Sequence, residues 1–246
     1  RTAGGVAIIG LGESLGGINP AAARALFGEP AGVRVAVLFE PGFPGADDFS
    51  LTREQLAAAL SDFTAEFLTA EELAAKLPDG GFGLLVNPYG SAFPVECWIP
   101  IRKFLSRGGS LLNLGGIPFS VPVRKEGAAW KQEILQASYY KELGITESFV
   151  VPISTRVEFR DVPRNAETAG IAGKFTATRV HELYVRFTST RDYPQEDGTS
   201  GQRDATITPL AGAFTPRGDM IAAPVVLIDR LLGEFAVSDP GSSQGR

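Results

Sequence analysis

The chain contains a single cysteine and a single histidine. One cysteine excludes an internal disulfide, and one Cys with one His cannot complete a tetrahedral Cys/His zinc cage. An all-carboxylate site is left open by that count, but no EF-hand spacing occurs, and no metal or cofactor is expected. Clusters of Lys and Arg are also missing, and the formal net charge is -5. A surface of that kind neutralises few phosphates, which argues against nucleic acid and against anionic membranes as partners. Nor is there an apolar run long enough to cross a bilayer: the N-terminal one is short and broken by glycine. What is present is ordinary globular material. With 246 residues, 44% hydrophobic and 21% charged, the chain can bury the core of one large α/β domain, or of one domain and a smaller appendage.

The first residues admit several readings. In "VAIIGLGESLGG", Val6 to Gly17, a β-like run meets glycines, as in dinucleotide-binding loops. Gly10, Gly12 and Gly16 are spaced G-x-G-x-x-x-G, one residue longer than that fingerprint, and no acidic ribose ligand follows a second strand at the usual distance. A second reading is a clipped secretory signal over residues 1–32, with Arg1 as basic remnant and "NPAAARA" as cleavage region; Glu13 within the apolar stretch opposes it. A third is a strand followed by a helix capped by Asn19, with Pro20 at its first position. The start at Arg1 and the close on "SDPGSSQGR", residues 238–246, read as a piece of a longer protein.

From Val33 the pattern becomes regular. "VRVAVLF", Val33 to Phe39, suits a strand buried on both faces, and a Gly/Pro/Asp-rich loop follows. Thr52 with Gln55, and Thr69 with Glu72, form capping boxes ahead of two helices. Between them "DFTAEFL" alternates as a less buried, edge-proximal strand does. "FGLLVNP" is a third strand. A helix from about Pro94 to Arg107 carries Val95, Trp98, Ile101 and Leu105 on one stripe, with a kink or split expected at Pro100, and "SLLNL" is the fourth strand. The expected fold is α/β: a mostly parallel sheet with helices on both faces, followed by a β-rich C-terminal extension. With strand order 2-1-3-4, ligands belong beyond the carboxyl ends of strands one and three. Those ends carry Glu40, Asn87, Pro88, Tyr89, Gly90 and Ser91, with Gly115 and Gly116 beside them.

"FGLLVNPYGSAFPVECWIPIRKFLSRGGSLLNLGGIPF" resembles the class I glutamine-amidotransferase-like, flavodoxin-like module of bacterial sugar-cleaving proteins, including the non-catalytic domain of some β-galactosidases and relatives of trehalose-utilisation proteins. The likeness covers roughly Val33 to Phe119. In active members of that class a Cys stands in a Gly-rich elbow after this strand, served by a His and a Glu. Here the corresponding residues are Leu114, Gly115, Gly116 and Ile117, so the resemblance implies a module without a nucleophile and without glutaminase chemistry.

Other residues could stand in for the missing nucleophile. Cys97 lies in the helix after the third strand, where a cysteine serves as a small hydrophobe. His181 shares one face of an alternating strand with Leu183, Val185 and Phe187, as a core or interface histidine does, and Glu182 points the other way. A glycosidase pair would have to come from Glu40, Asp47, Asp48 and Glu96, residue types that in loops more often cap or solvate. Asn87, Tyr89 and Ser91 could bond a sugar or a partner loop, although "NPYGS" also reads as a plain turn.

Beyond a helix over "KQEILQASYYKELG" the chain turns to β, with strands expected in "SFVVPI", "TRVEFRD", "KFTATRVHELYVRFT", "ATITPLAGAF" and "MIAAPVVLID", and a hairpin turn at "TPRGD". The expected organisation is a core over 33–150, a β-rich extension of the same domain over 151–237 and a terminal linker. No catalytic residue is expected. The functional expectation is an accessory module of an exported bacterial carbohydrate-active protein, periplasmic or extracellular if the leader reading holds and cytoplasmic otherwise. Its partners would be other domains of the same polypeptide, a carbohydrate or a second copy. The alternative is a trehalose-utilisation-like sugar-binding protein or hydrolase, working from Glu40, Asn87, Tyr89 and His181.

Overall fold

The computed structural model describes residues 4–9, 32–47, 49–143, 147–149, 158–161, 184–186 and 205–230. Its centre is an eight-stranded sheet built from β1 (Gly4–Ile9), β2 (Arg34–Leu38), β3 (Thr64–Leu68), β4 (Leu84–Asn87), β6 (Ser110–Leu114), β10 (Glu158–Asp161), β12 (Ala205–Phe214) and β13 (Met220–Arg230), in the spatial order β10-β12-β13-β1-β6-β4-β2-β3. From β1 to β3 every pairing is parallel, whereas β13, β12 and β10 continue the sheet antiparallel. The fold is therefore α/β with a flavodoxin-like parallel half, and β2, β3, β4 and β6 take the order 2-1-3-4. β3 lies at the sheet edge, as its weaker alternation anticipates. Gly4–Ile9, the stretch with several sequence readings, is a strand between β6 and β13, and the glycines after it lie outside the described residues.

Helices lie on both faces because the buried strands send alternate residues to opposite sides. Val35, Val37, Leu84, Val86, Leu112 and Leu114 meet Leu56 and Leu60 of α1 (Arg53–Ala59) and its C-terminal end. Ala36, Leu38, Leu85 and Leu111 face the other way, toward α2 (Ala70–Lys76), α3 (Trp98–Ser106) and Tyr140 of α4 (Ala137–Lys141).

Both capping boxes form. The Thr52 N–H donates to Gln55 Oε1 at 2.8 Å and the Gln55 N–H to Thr52 Oγ1 at 3.2 Å; Thr69 and Glu72 repeat the exchange at 2.9 and 3.3 Å. α3 ends in a Schellman motif: the Gly108 N–H reaches the Leu105 carbonyl and the Gly109 N–H the Phe104 carbonyl, each at 3.1 Å, with Gly108 at φ 95°.

Two segments differ from expectation. The helix expected over Pro94–Arg107 is divided between Cys97 and Trp98 rather than at Pro100. Val95–Cys97 forms a 3₁₀ turn, α3 begins at Trp98, and Pro100 sits in the first helical turn, where its missing N–H had no intrahelical acceptor to lose. The helix expected over "KQEILQASYYKELG" shrinks to α4, because Ala129–Gln132 is strand β8. β8 pairs antiparallel with β7 (Val121–Glu126), which pairs parallel with β5 (Ala92–Pro94), making a separate three-stranded sheet. A two-residue turn at Gly127 (φ 64°) and Ala128 closes this hairpin, which decides the segment against its helix-forming residues. β9 (Glu147–Phe149) pairs with β11 (Tyr184–Arg186). At the foreseen "TPRGD" turn, the Thr215 N–H donates to the Asp219 carbonyl and the Gly218 N–H to the Thr215 carbonyl, both at 2.9 Å.

Candidate functional site

The winding of the parallel half reverses between β2 and β4, and the crevice beyond their carboxyl ends holds the residues singled out by sequence: Glu40, Asn87, Tyr89, Gly90 and Ser91, with Gly115 and Gly116 on the adjoining turn after β6. The structure brings all seven together. It also gives Glu40, Asn87, Tyr89 and Ser91 defined partners within the chain.

Asn87 and Asn113 are paired across β4 and β6, with 1% and 0% of their surface exposed. Asn87 Nδ2 lies 2.7 Å from Asn113 Oδ1 and within reach of the Gly90 and Ala92 carbonyls, while Asn113 Nδ2 donates to the Gly115 carbonyl at 2.6 Å. These two side chains tie both turns to the sheet. The Glu40 carboxylate accepts the Ala70 N–H at 2.9 Å, so it caps the start of α2. The Tyr89 hydroxyl accepts the Glu40 N–H at 2.8 Å and donates to the Glu40 carbonyl at 3.1 Å. Burial holds the Tyr89 phenol above its ordinary range, partly offset by the hydrogen bond from Glu40. Its ring lies 4.7 Å from Phe43, which in turn meets Trp130 of β8 at 5.1 Å.

The crevice floor is sealed from above by the loop after β2. Asp47 Oδ2 accepts the Ser91 N–H at 2.6 Å and Oδ1 accepts the Ser91 hydroxyl at 2.9 Å. Ser91 Oγ itself accepts the Ile117 N–H at 3.1 Å, so one buried serine joins the loops after β2, β4 and β6. Gly90 (φ 62°) and Gly116 (φ 52°) are left-handed, and a methyl group on either would lie 2.1 Å from Asp47 Oδ2 or Ser91 Oγ, respectively. A methyl on Gly115 (φ 83°) would lie 2.1 Å from the ring of Phe49. The turn after β6 is thus bare backbone, covered by Asp47 and Phe49. Phe119 closes it at φ 60°, a conformation costing an ordinary residue about 1–2 kcal/mol, and its ring is held edge-on by Phe93 and Trp98 at 5.2 and 5.3 Å.

The other candidates fall elsewhere. Cys97 is fully buried, its thiol donates to the Ala70 carbonyl at 3.2 Å, and burial, reinforced by the charges of Glu96 and Glu40, pushes it up to about 12. A thiol held in that state is not a nucleophile at neutral pH. Glu96 is exposed on the 3₁₀ turn. Asp48 and His181 lie outside the described residues, as does Glu182. Among the described residues no group of three His, Cys, Asp or Glu side chains could hold a metal ion, and no helix is long and apolar enough to cross a membrane. A cavity of about 340 Å³ lined by Leu77, Phe82, Phe104 and Arg107 opens at the amino ends of β4 and β6, the opposite end from the crevice.

Sequence reasoning named Asp47 as one of four loop carboxylates but not as the residue that fills the crevice, and it missed Asn113 and Phe49. Asn113 had a signal: a lone amide inside the apolar run "SLLNL", at the same strand-end place as Asn87 in "LLVN". Compared with protein-family models, with curated proteins and with solved structures, the chain matches none.

Proposed function

We propose that this chain is a non-catalytic, amidotransferase-like accessory module of a carbohydrate-active protein, serving to hold other domains or copies together. The observation that carries the reading is the Gly115–Gly116 turn: it has no hydroxyl or thiol, and Asp47 and Phe49 occupy the space in which a reacting carbonyl would have to sit. The hydrogen bonds of Glu40, Asn87 and Tyr89 favour this over a sugar-processing crevice, because these side chains are engaged by backbone groups and, for Asn87, by Asn113. Ile134 and Leu135, 83% and 58% exposed on the connection between β8 and α4, support a role in contact with another surface.

The test is enzymatic and hydrodynamic. Incubated with glutamine, the chain is expected to release no ammonia above the blank, and a panel of nitrophenyl glycosides should remain uncleaved. Ile134→Ser/Leu135→Ser should then lower self-association, or association with the remainder of the parent polypeptide, in sedimentation measurements. Saturable ammonia or nitrophenol release would overturn the proposal.

A further inference from the structure

The way Asp47 fills the crevice has the features of a bound ligand rather than of a surface loop. Its two carboxylate oxygens take two donors from one residue, the Ser91 N–H at 2.6 Å and the Ser91 O–H at 2.9 Å. Ser91 Oγ also accepts the Ile117 N–H at 3.1 Å, which leaves its own hydrogen available to Asp47. Ser91 is 2% exposed, so this donor pair is built into the sheet end and does not depend on a flexible surface side chain.

The shape is equally specific. Asp47 Oδ2 lies 2.1 Å from where a methyl on Gly90 would stand and 2.6 Å from one on Gly116, so the carboxylate slides into a slot bounded by two glycines whose missing side chains make the room. A flat two-oxygen anion fits between them. Next to the slot, Phe49 lays its ring against Gly115, so the wall beside the carboxylate is apolar and the size of an aromatic ring.

We infer that the crevice is a carboxylate receptor in which Asp47 is a tethered ligand, and that a small carboxylic acid with an apolar or aromatic tail takes the places of the Asp47 carboxylate and the Phe49 ring when these leave. The inference stands on the loop geometry and goes beyond the accessory-module reading: ammonia release would remove that reading and leave the receptor untouched. A tethered ligand acts at an effective concentration in the millimolar range or above, so the wild-type chain resists free carboxylates that a variant without the tether binds.

The experiment uses the full chain as wild type, Asp47→Ala and Asp47→Ala/Phe49→Ala, followed by thermal unfolding at constant pH and ionic strength. Acetate is the probe for the first variant and 3-phenylpropionate for the second, with 3-phenylpropan-1-ol and inorganic phosphate as controls. A saturable rise in Tm of about 3–6 °C is expected at tenfold over half-saturation, with no rise for wild type or for the controls. Adding Ser91→Ala to Asp47→Ala should abolish it. If Asp47→Ala is recovered only unfolded, refolding yield is the readout: rescue by acetate but not by chloride or phosphate supports the receptor. Absence of any carboxylate effect, or an equal effect of the alcohol or phosphate, overturns it.

Discussion

Replacing Gly116 by alanine tests the closed crevice most directly, provided that Gly127→Ala is measured beside it. Both glycines are left-handed, at φ 52° and 64°, so both substitutions carry the same backbone strain, about 1–2 kcal/mol, partly offset by the reduced freedom of the unfolded chain. They differ in surroundings. Nothing lies within 4 Å of a methyl at Gly127, whereas at Gly116 it meets Ser91 Oγ at 2.1 Å and both Asp47 Oδ2 and the Ser91 backbone nitrogen at 2.6 Å. The last of these is main chain and cannot swing aside. Overpacking adds about 1–3 kcal/mol, and loosening the bonds to a charged carboxylate adds about 1.5–3 kcal/mol. Gly116→Ala should therefore be destabilised by about 3–7 kcal/mol and melt roughly 6–28 °C lower, against about 1 kcal/mol for Gly127→Ala. Urea unfolding followed by the fluorescence of buried Trp98 and half-buried Trp130 gives both values at a common slope. If the two variants fall within about 0.5 kcal/mol of each other, Asp47 and Ser91 do not occupy the space over Gly116, and the reasoning from it collapses.

Three further outcomes follow from the geometry. Folded Cys97 keeps its proton until about pH 12 whereas the unfolded thiol loses it near 9, so above pH 9 stability should fall by up to a factor of ten in the folding equilibrium per pH unit, more steeply than in Cys97→Ala; iodoacetamide at pH 8 should label the chain only in denaturant. Equal pH slopes would contradict the buried thiol. Glu40→Ala should lower stability by about 1–2 kcal/mol, because it uncaps the Ala70 N–H, and should leave binding in a saccharide panel unchanged; a sugar-specific loss would instead make Glu40 a ligand residue. Thr69→Ala should cost about 1 kcal/mol by chemical denaturation through loss of the capping box, and an unchanged midpoint would mean that α2 is held by its buried face alone.

The parallel half was legible because its signals are local and redundant. Thr52 and Thr69 mark helix starts by hydrogen bonds that span three residues, and Val35, Ala36, Val37 and Leu38 announce burial on both faces by having no polar member. The β7–β8 hairpin was not legible: Pro122 argues against a strand, and Lys131, Gln132 and Glu133 favour a helix until the turn at Gly127 and pairing with β5 override them. The crevice residues were found as a neighbourhood because strand ends are predictable from strand order. Which carboxylate would fill that neighbourhood was not, since it depends on the path of a Gly/Pro-rich loop that no periodicity describes.

The placement of β1 bears on how the sheet is assembled. It lies parallel to β6 on one side and antiparallel to β13 on the other, with Gly4 opposite Arg230, so a strand that precedes β2 in the chain is the seam between the two halves. A chain emerging from the ribosome can zip β2, β3, β4 and β6 together through short crossovers. The outer margin of β1, however, stays an unsatisfied row of peptide groups until Met220–Arg230 appears. Completion of this molecule is thus a ring closure in sequence space, the slow and sticky kind of step for which a nascent polypeptide needs chaperoning or speed.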